Sequence, residues 1–382
     1  MTVYLDCNAT TPLDPRVAAV MKPWFCESFG NHSSRDHHLG WDAAEAVEDA
    51  RCAVAEIIHA QTSEIIFNSG ATEGLNAVIK GFVGYQDWEQ KKIITCSTEH
   101  DAVLMSCQQL AKTTGIEVQV LPVNGQGHID LEQLVLSLHS HKNLLVVLML
   151  ANNELGTIHP IAEIARIVHN AGALLLSDIT QAVGKFPVSV YDDGIDVAVF
   201  SAHKIYGPKG VGALFIRGGE SKIEIEPLIV GGGQEQGMRG GTLNVPGIVG
   251  LGEACRIAQL EYDTEAESVM QLRNRLEQAL MVELSNVWVN GDGKNRIPNT
   301  SNIYFGGVDA RILIRDMHDI AVSTRAACSS GESGPSHVLK AIGLTDEEAH
   351  SCVRFSLGRF TTEDEINYAI NKVITSVSKL RR

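Results

Sequence analysis

Short apolar segments alternate with amphipathic segments through the middle of the chain, and this alternation constrains the fold more than any other feature. The predicted strands are residues 64–67, 92–96, 116–121, 143–150, 173–177, 196–200 and 212–216, followed later by 287–289 and 301–305. The clearest intervening helices are predicted at 73–80, 101–111 and 161–169. Strands that are apolar throughout are buried on both faces, so alternation with helices indicates an α/β fold with a largely parallel sheet. In such sheets, ligands bind beyond the carboxyl ends of the strands.

The pattern changes near residue 248, where a long predicted helix precedes two short strands and further helices. A chain of 382 residues is too long for one simple core and suits two packed domains. We therefore expect a large domain over residues 15–248 and a smaller α+β domain over residues 1–14 and 249–382.

Charge and cysteine content exclude several classes of protein. The formal net charge of −15 argues against direct nucleic-acid binding, which needs clustered Lys and Arg. No apolar run reaches the ~18 residues of a membrane span, and the N-terminus does not resemble a signal peptide. The eight cysteines include no Cys-x-x-Cys pair, which argues against a zinc ribbon or a thioredoxin-like motif. We expect reduced thiols, no metal and a cytoplasmic protein.

Ser69-Gly70-Ala71-Thr72-Glu73 follows the first predicted strand of the α/β region and opens a helix. Free backbone N–H groups at a helix start attract phosphate, Gly70 permits close approach, and Thr72 adds a hydroxyl donor. The same residues also fit a capping box, in which Ser or Thr caps the helix and Glu lies further in. The segment by itself leaves both interpretations open.

Two polar clusters follow later strands. Asp178 ends an apolar strand, with Gln181 three residues on, and its carboxylate suits a helix cap, a metal ligand or a partner for a pyridinium nitrogen. Ser201-Ala202-His203-Lys204 follows the next strand and precedes a glycine-rich turn. A lysine buried there would be costly unless used, for example in a Schiff base, whereas an ordinary surface lysine is the alternative.

Cys328 lies in Ala326-Ala327-Cys328-Ser329-Ser330-Gly331, a segment of small residues that predicts a mobile loop. Unused cysteines are mostly buried, so a thiol on an exposed loop is a candidate nucleophile. The alternative is an inert loop thiol.

These motifs occur together in one known family. The further motifs are Asp6-Cys7-Asn8-Ala9-Thr10-Thr11-Pro12, Thr98-Glu99-His100, Asn152-Asn153-Glu154 and Arg354-Phe355-Ser356-Leu357-Gly358-Arg359. In order and spacing the chain resembles, over nearly its full length, the cysteine desulfurases of the NifS/IscS type that depend on pyridoxal 5'-phosphate (PLP). The resemblance implies the type I aminotransferase-like fold and a homodimer with shared active sites.

The resemblance also implies roles for individual residues. Lys204 would bind PLP covalently, His100 would stack on its ring and help move protons, and Asp178 would pair with its nitrogen. The other implied contacts are Gln181 and Asn153 at the ring hydroxyl, Ala71, Thr72, Ser201 and His203 at the phosphate, Thr242 at the partner subunit's phosphate, and Arg354 with Asn153 at the substrate carboxylate. Cys328 would take sulfur from L-cysteine as a persulfide, releasing L-alanine.

The resemblance leaves the destination of the sulfur open. The Ser/Gly-rich segment around Cys328 is similar to the long-loop branch, which delivers sulfur to an acceptor protein for iron–sulfur assembly or for thio-modification such as DNA phosphorothioation. The chain ends at Arg382, without the longer tail that housekeeping members often use for scaffold docking. Alternative functions are a selenocysteine lyase, another PLP enzyme of the same fold, and a scaffold without catalytic activity.

Overall fold

The computed structural model describes residues 2–84, 91–139, 143–218, 223–324 and 334–382. The strands are β1 (Val3–Tyr4), β2 (Ile65–Asn68), β3 (Lys91–Cys96), β4 (Glu117–Leu121), β5 (Asn143–Val147), β6 (Leu174–Asp178), β7 (Val197–Ser201), β8 (Gly212–Ile216), β9 (Val287–Asn290), β10 (Thr300–Phe305), β11 (Ile320–Ala321) and β12 (Cys352–Ser356). The helices are α1 (Pro15–Met21), α2 (Pro23–Cys26), α3 (His38–Ile57), α4 (Ala71–Val83), α5 (Asp101–Thr114), α6 (Leu131–Leu138), α7 (Ile161–Asn170), α8 (Val245–Glu283), α9 (Ala310–Asp316), α10 (His337–Ala341), α11 (Asp346–His350) and α12 (Glu363–Leu380).

The largest sheet in the described residues has the strand order β2-β8-β7-β6-β5-β3-β4. Only β8 runs antiparallel to its neighbours, so the expected, mainly parallel α/β sheet is confirmed. Both faces are covered, because successive residues of β5 enter different apolar clusters: Val146 joins one, and Leu145 and Val147 join the other. This double burial explains the continuous apolar character of the strands.

A second core lies beyond the long helix α8. The first half of α8 packs on the core of the large sheet through residues such as Leu251, whereas Leu276 in its second half belongs to a separate apolar cluster. That cluster surrounds an antiparallel sheet of order β12-β10-β9 and includes Leu5 from the N-terminal segment. The N-terminal segment therefore packs against the C-terminal part, where β1 pairs with β11.

Some elements differ from the predicted ones. Strand β12 was not predicted, because Arg354 at its centre interrupts the apolar run, although the side chain is buried in the folded chain. Helix α5 continues three residues beyond the predicted end and stops at Gly115, whose φ of 80° is the left-handed conformation typical of a helix end. Within the described ranges, no helix combines the length and apolar character needed to cross a bilayer.

Candidate active site

A cavity of about 120 Å³ lies at the carboxyl ends of the parallel strands, where the fold predicts a ligand site. Five groups of predicted residues meet there, at or after the ends of β2, β3, β5, β6 and β7, and Arg354 joins them from β12. The predicted site residues that line the cavity are Ala71, Thr72, His100, Asn153, Asp178, Gln181, Ser201, His203, Lys204 and Arg354.

One end of the cavity is formed by the first turn of α4. Gly70 caps this helix with φ +142° and ψ 174°, a conformation that glycine alone adopts without strain. The neighbouring Ala71 N–H donates to Ser201 Oγ (2.8 Å), which ties the helix start to the end of β7. The capping-box alternative is not fulfilled, because the cap residue Gly70 has no side chain and Glu73 accepts from Ser69 N instead of from the cap residue. The helix start thus combines its dipole with a close backbone approach, as phosphate binding requires.

Basic residues surround the outer part of the same helix start. His203 and Lys209 line it, and His203 Nδ1 is 3.1 Å from Thr10 Oγ1. Burial, followed by the charges of Lys204 and Lys209, lowers the pKa of His203 to about 4. At neutral pH His203 is therefore an uncharged hydrogen-bonding group, and Lys209 supplies positive charge.

Lys204 projects from a short 3-10 turn, Ala202–Lys204, directly after β7. Its Nζ donates to the carbonyl oxygens of Asn8 and Ala9, both at 2.6 Å. The side chain is partly buried in the wall of the cavity, so the surface-lysine alternative is wrong. The N-terminal motif thereby holds the amine at the cavity, a role that sequence reasoning did not assign to it.

The side chains of Asp178 and His100 each accept a hydrogen bond from a backbone N–H two residues further along the chain. Asp178 is the last residue of β6, and its Oδ1 accepts from Thr180 N (3.0 Å). His100 is the N-cap of α5, and its Nδ1 accepts from Ala102 N (3.0 Å). This hydrogen bond puts the proton of a neutral His100 ring on Nε2.

Arg354 is almost completely buried, with 1% of its surface exposed. Its Nη2 donates to Asp6 Oδ1 (2.6 Å), and its Nη1 donates to the backbone oxygen of Asn153 (3.0 Å). Among the described residues, its Nε atom has no hydrogen-bond partner. A guanidinium carries five N–H donors, so this buried one, which is fixed by two of them, keeps others for binding a carboxylate.

The lining fits PLP. Two buried polar atoms of lining residues, Thr180 Oγ1 and Arg354 Nε, lack a hydrogen-bond partner in the described part of the chain, which fits a cavity completed by a polar ligand. A lysine amine, a carboxylate at a strand end and a helix start correspond to the aldehyde, the ring nitrogen and the phosphate of PLP. Sequence reasoning missed Thr180, although it stands only two residues after Asp178.

The lining of this cavity gives no place to two of the predicted residues. Cys328 lies outside the described residues. Thr242 is exposed and does not line the cavity of its own chain. The roles of both residues stay predictions.

Residues 3–368 match the model of the aminotransferase class-V family. The chain is 46% identical over 382 residues to "Cysteine desulfurase IscS" of Rickettsia prowazekii, covering all of this chain and 92% of that protein. Among solved structures, a "NifS-like protein" aligns with a TM-score of 0.91 at 37% identity, over 99% of this chain and all of that one. A structure described as "SspA in complex with cysteine" aligns with a TM-score of 0.82 at 34% identity, over 94% of this chain and all of that one.

Proposed function

The chain belongs to the aminotransferase class-V family, and from this membership we propose that it is a PLP-dependent cysteine desulfurase that converts L-cysteine to L-alanine. The observation that carries the proposal is that Lys204, Asp178 and Arg354, which lie far apart in sequence, line one cavity. The relative named as a cysteine desulfurase and the similar structure described with bound cysteine support the choice of substrate.

Each residue group has a distinct task in this proposal. Bound PLP would supply an aldehyde for attachment of an amine and an electron sink for charge that develops at the substrate Cα. Lys204 would hold the cofactor, and its amine would move the Cα proton. Asp178 would pair with the ring nitrogen, and His100 would help to hold the ring. Arg354 orients the substrate through its carboxylate, which places the Cα proton near the lysine amine.

Cys328 is the proposed sulfur acceptor. Its thiolate attacks the substrate sulfur, so that an S–S bond forms while the Cβ–S bond breaks. The electron pair of the broken bond stays with the carbon, which is protonated to give alanine, and the persulfide remains on Cys328. Described residues on either side in sequence support this assignment: Ser323 pairs with the Arg354 backbone (2.7 and 3.2 Å), and Ser336 Oγ donates to Glu154 Oε2 (2.6 Å).

We further propose a homodimer with shared active sites, an acceptor protein for the sulfur, and a cytoplasmic location. Exposed apolar side chains support association, because Phe25, Phe29 and Val230 are 62%, 68% and 84% exposed in the single chain. The exposed position of Thr242 suits contact with a second subunit. The described cysteines form no disulfide with one another, which suits a reducing compartment.

The proposed division into residues 15–248 and residues 1–14 with 249–382 fits these tasks. The first part supplies the groups for PLP, and the second supplies Arg354 and Cys328. The two apolar clusters that share α8 support this division.

The decisive experiment measures alanine formation from L-cysteine with a reductant, using PLP-loaded wild type, Cys328→Ala and Cys26→Ala. Cys26 is an exposed thiol and serves as the matched control. We expect alanine from wild type and Cys26→Ala only, with the mass of one extra sulfur on the Cys328 peptide. Equal alanine from Cys328→Ala would remove this cysteine from catalysis and favour the selenocysteine lyase. No alanine from loaded wild type would refute desulfuration.

Shared sites are tested with mixed dimers of a Thr242→Val subunit and a Lys204→Ala subunit. If Thr242 serves the partner's site, one site of the mixed dimer has both residues intact and binds PLP with wild-type affinity. If Thr242 serves its own chain, neither site has both residues, and every site of the mixed dimer is impaired. Homodimers of each variant provide the reference values.

A further inference from the structure

A second lysine contacts a residue of the active site. Lys185 Nζ donates to Gln181 Oε1 at 2.5 Å. Lys185 and Lys204 together line a second, smaller cavity, which Cys7 and Glu265 also line. The reaction proposed above gives Lys185 no task.

The contact with Lys185 determines how the Gln181 amide is oriented. The Lys185 amine donates in this contact in either protonation state, so the atom of Gln181 that accepts from it is the carbonyl oxygen. The amide nitrogen then lies on the other side, where it donates to the Asn8 carbonyl oxygen (3.1 Å). The reversed amide would put two donors together at Lys185 and two acceptors together at Asn8. One N–H of Gln181 is therefore left for the cavity that this residue lines.

Packing alone does not explain a lysine at this position. Burial, followed by the nearby Lys204 charge, lowers the pKa of Lys185 to about 7. The charged groups that act on it are Lys204 and Arg354, which lower its pKa, and Cys7 and Glu265, which raise it. Because its pKa is lower in the folded chain than in the unfolded chain, stability is lost as pH falls from about 10.5 to about 7, and the full cost applies below that range. An uncharged side chain of similar length would not carry this cost.

We propose that Lys185 is a positioning residue of the active site, which holds the Gln181 amide with its N–H directed at an acceptor oxygen of the bound cofactor ring. The inference rests on the proposed function, since that function places PLP in the cavity. Lys185 acts only through Gln181 and through its charge beside Lys204.

The test compares Lys185→Met, Lys185→Arg, Gln181→Glu and the double variant Lys185→Met/Gln181→Glu. Three quantities are measured: the PLP dissociation constant, the pH midpoint of the visible absorbance change of the loaded protein, and thermal unfolding of the PLP-free protein. Methionine keeps the length of lysine without its donors, arginine keeps donors and charge, and glutamate removes the amide N–H. The readouts of PLP binding and absorbance do not depend on desulfuration.

We expect Lys185→Met to weaken PLP binding roughly 3- to 10-fold, the value of one hydrogen bond. The absorbance midpoint should move to higher pH, because a positive charge and a donor near the ring are lost. The PLP-free protein should be at least as stable as wild type, and arginine should restore most of the affinity. The double variant should bind PLP no more weakly than Gln181→Glu alone, because both changes act on the same contact, the one between the Gln181 N–H and the cofactor ring.

Unchanged affinity and midpoint in Lys185→Met would overturn the proposal. So would fully additive losses in the double variant, or a parallel loss of stability and affinity that arginine does not rescue, because either result indicates a structural lysine. Failure of the proposed function is recognised separately: wild type would then develop no visible absorbance band with PLP.

Discussion

Replacing Arg354 with lysine tests the substrate site most directly. In the folded chain this arginine uses Nη2 on Asp6 and Nη1 on the Asn153 backbone oxygen, and Nε has no partner. Lysine carries one nitrogen on a flexible stem, so it cannot keep both contacts and also bind a carboxylate with two parallel hydrogen bonds. The substitution keeps the positive charge but removes the geometry.

The expected loss follows from the number of hydrogen bonds. A hydrogen bond to a charged group contributes about 1.5–3 kcal/mol, and every 1.4 kcal/mol changes an equilibrium tenfold. Loss of one such bond to the substrate carboxylate should raise KM for L-cysteine about 10- to 150-fold. Lys204 and Asp178 are untouched, so PLP loading of Arg354→Lys should stay within about twofold of wild type.

The assay is alanine formation as a function of cysteine concentration, together with chemical unfolding of each variant. Arg273→Lys is the matched control, because Arg273 is also buried, at 5% exposed, and does not line the cavity. We expect both variants to lose stability and only Arg354→Lys to raise KM. An unchanged KM in Arg354→Lys, or an equal rise in Arg273→Lys, would refute the reasoning.

Three further predictions concern buried groups around the site. Burial raises the pKa of Glu99 to about 8 from its ordinary 4.5, so the free energy of unfolding should fall as pH rises between these two values. Glu99→Gln should make the free energy of unfolding, measured in urea, less dependent on pH in this range. An unchanged pH dependence would contradict the prediction. Gly70→Ala should introduce about 1–3 kcal/mol of backbone strain and weaken PLP binding. Gly293→Ala is the control, because an added Cβ there has no atom of the described residues within 4 Å, and it should change neither stability nor PLP binding. Glu235→Ala removes the buried carboxylate partner of Arg51, which keeps its contacts with Glu48 and the Ile65 carbonyl oxygen. This change should lower the free energy of unfolding by about 1.5–3 kcal/mol, measured in guanidinium chloride; a loss below about 1 kcal/mol would contradict it.

Much of the site was predictable because its parts are local in sequence. The helix start at Gly70, the carboxylate at the end of β6 and the lysine after β7 each follow an apolar strand directly. Parallel strands bring their carboxyl ends to one edge of the sheet, so these residues meet once the sheet forms. Because the strands are buried on both faces, they are apolar throughout, and this pattern can be recognised in the sequence alone.

Other features depended on contacts between distant parts of the chain. Arg354 reaches the cavity from an unpredicted strand and binds Asp6, 348 residues away. The Lys204 amine is held by carbonyl oxygens of Asn8 and Ala9, nearly 200 residues earlier. Such contacts leave no periodic pattern in the sequence, because they arise only when separately folded elements pack together.

By itself the sequence determined the parallel sheet and the edge at which the site forms, because hydrophobic periodicity and turn residues can be read from consecutive positions of the chain. The tertiary structure alone decided the orientation of the Gln181 amide and the burial of Lys185 beside Lys204. An amide side chain has two nearly identical faces, and only its surrounding donors and acceptors select between them. The lowered pKa of Lys185 likewise has its cause in burial, a property that exists only in the packed chain.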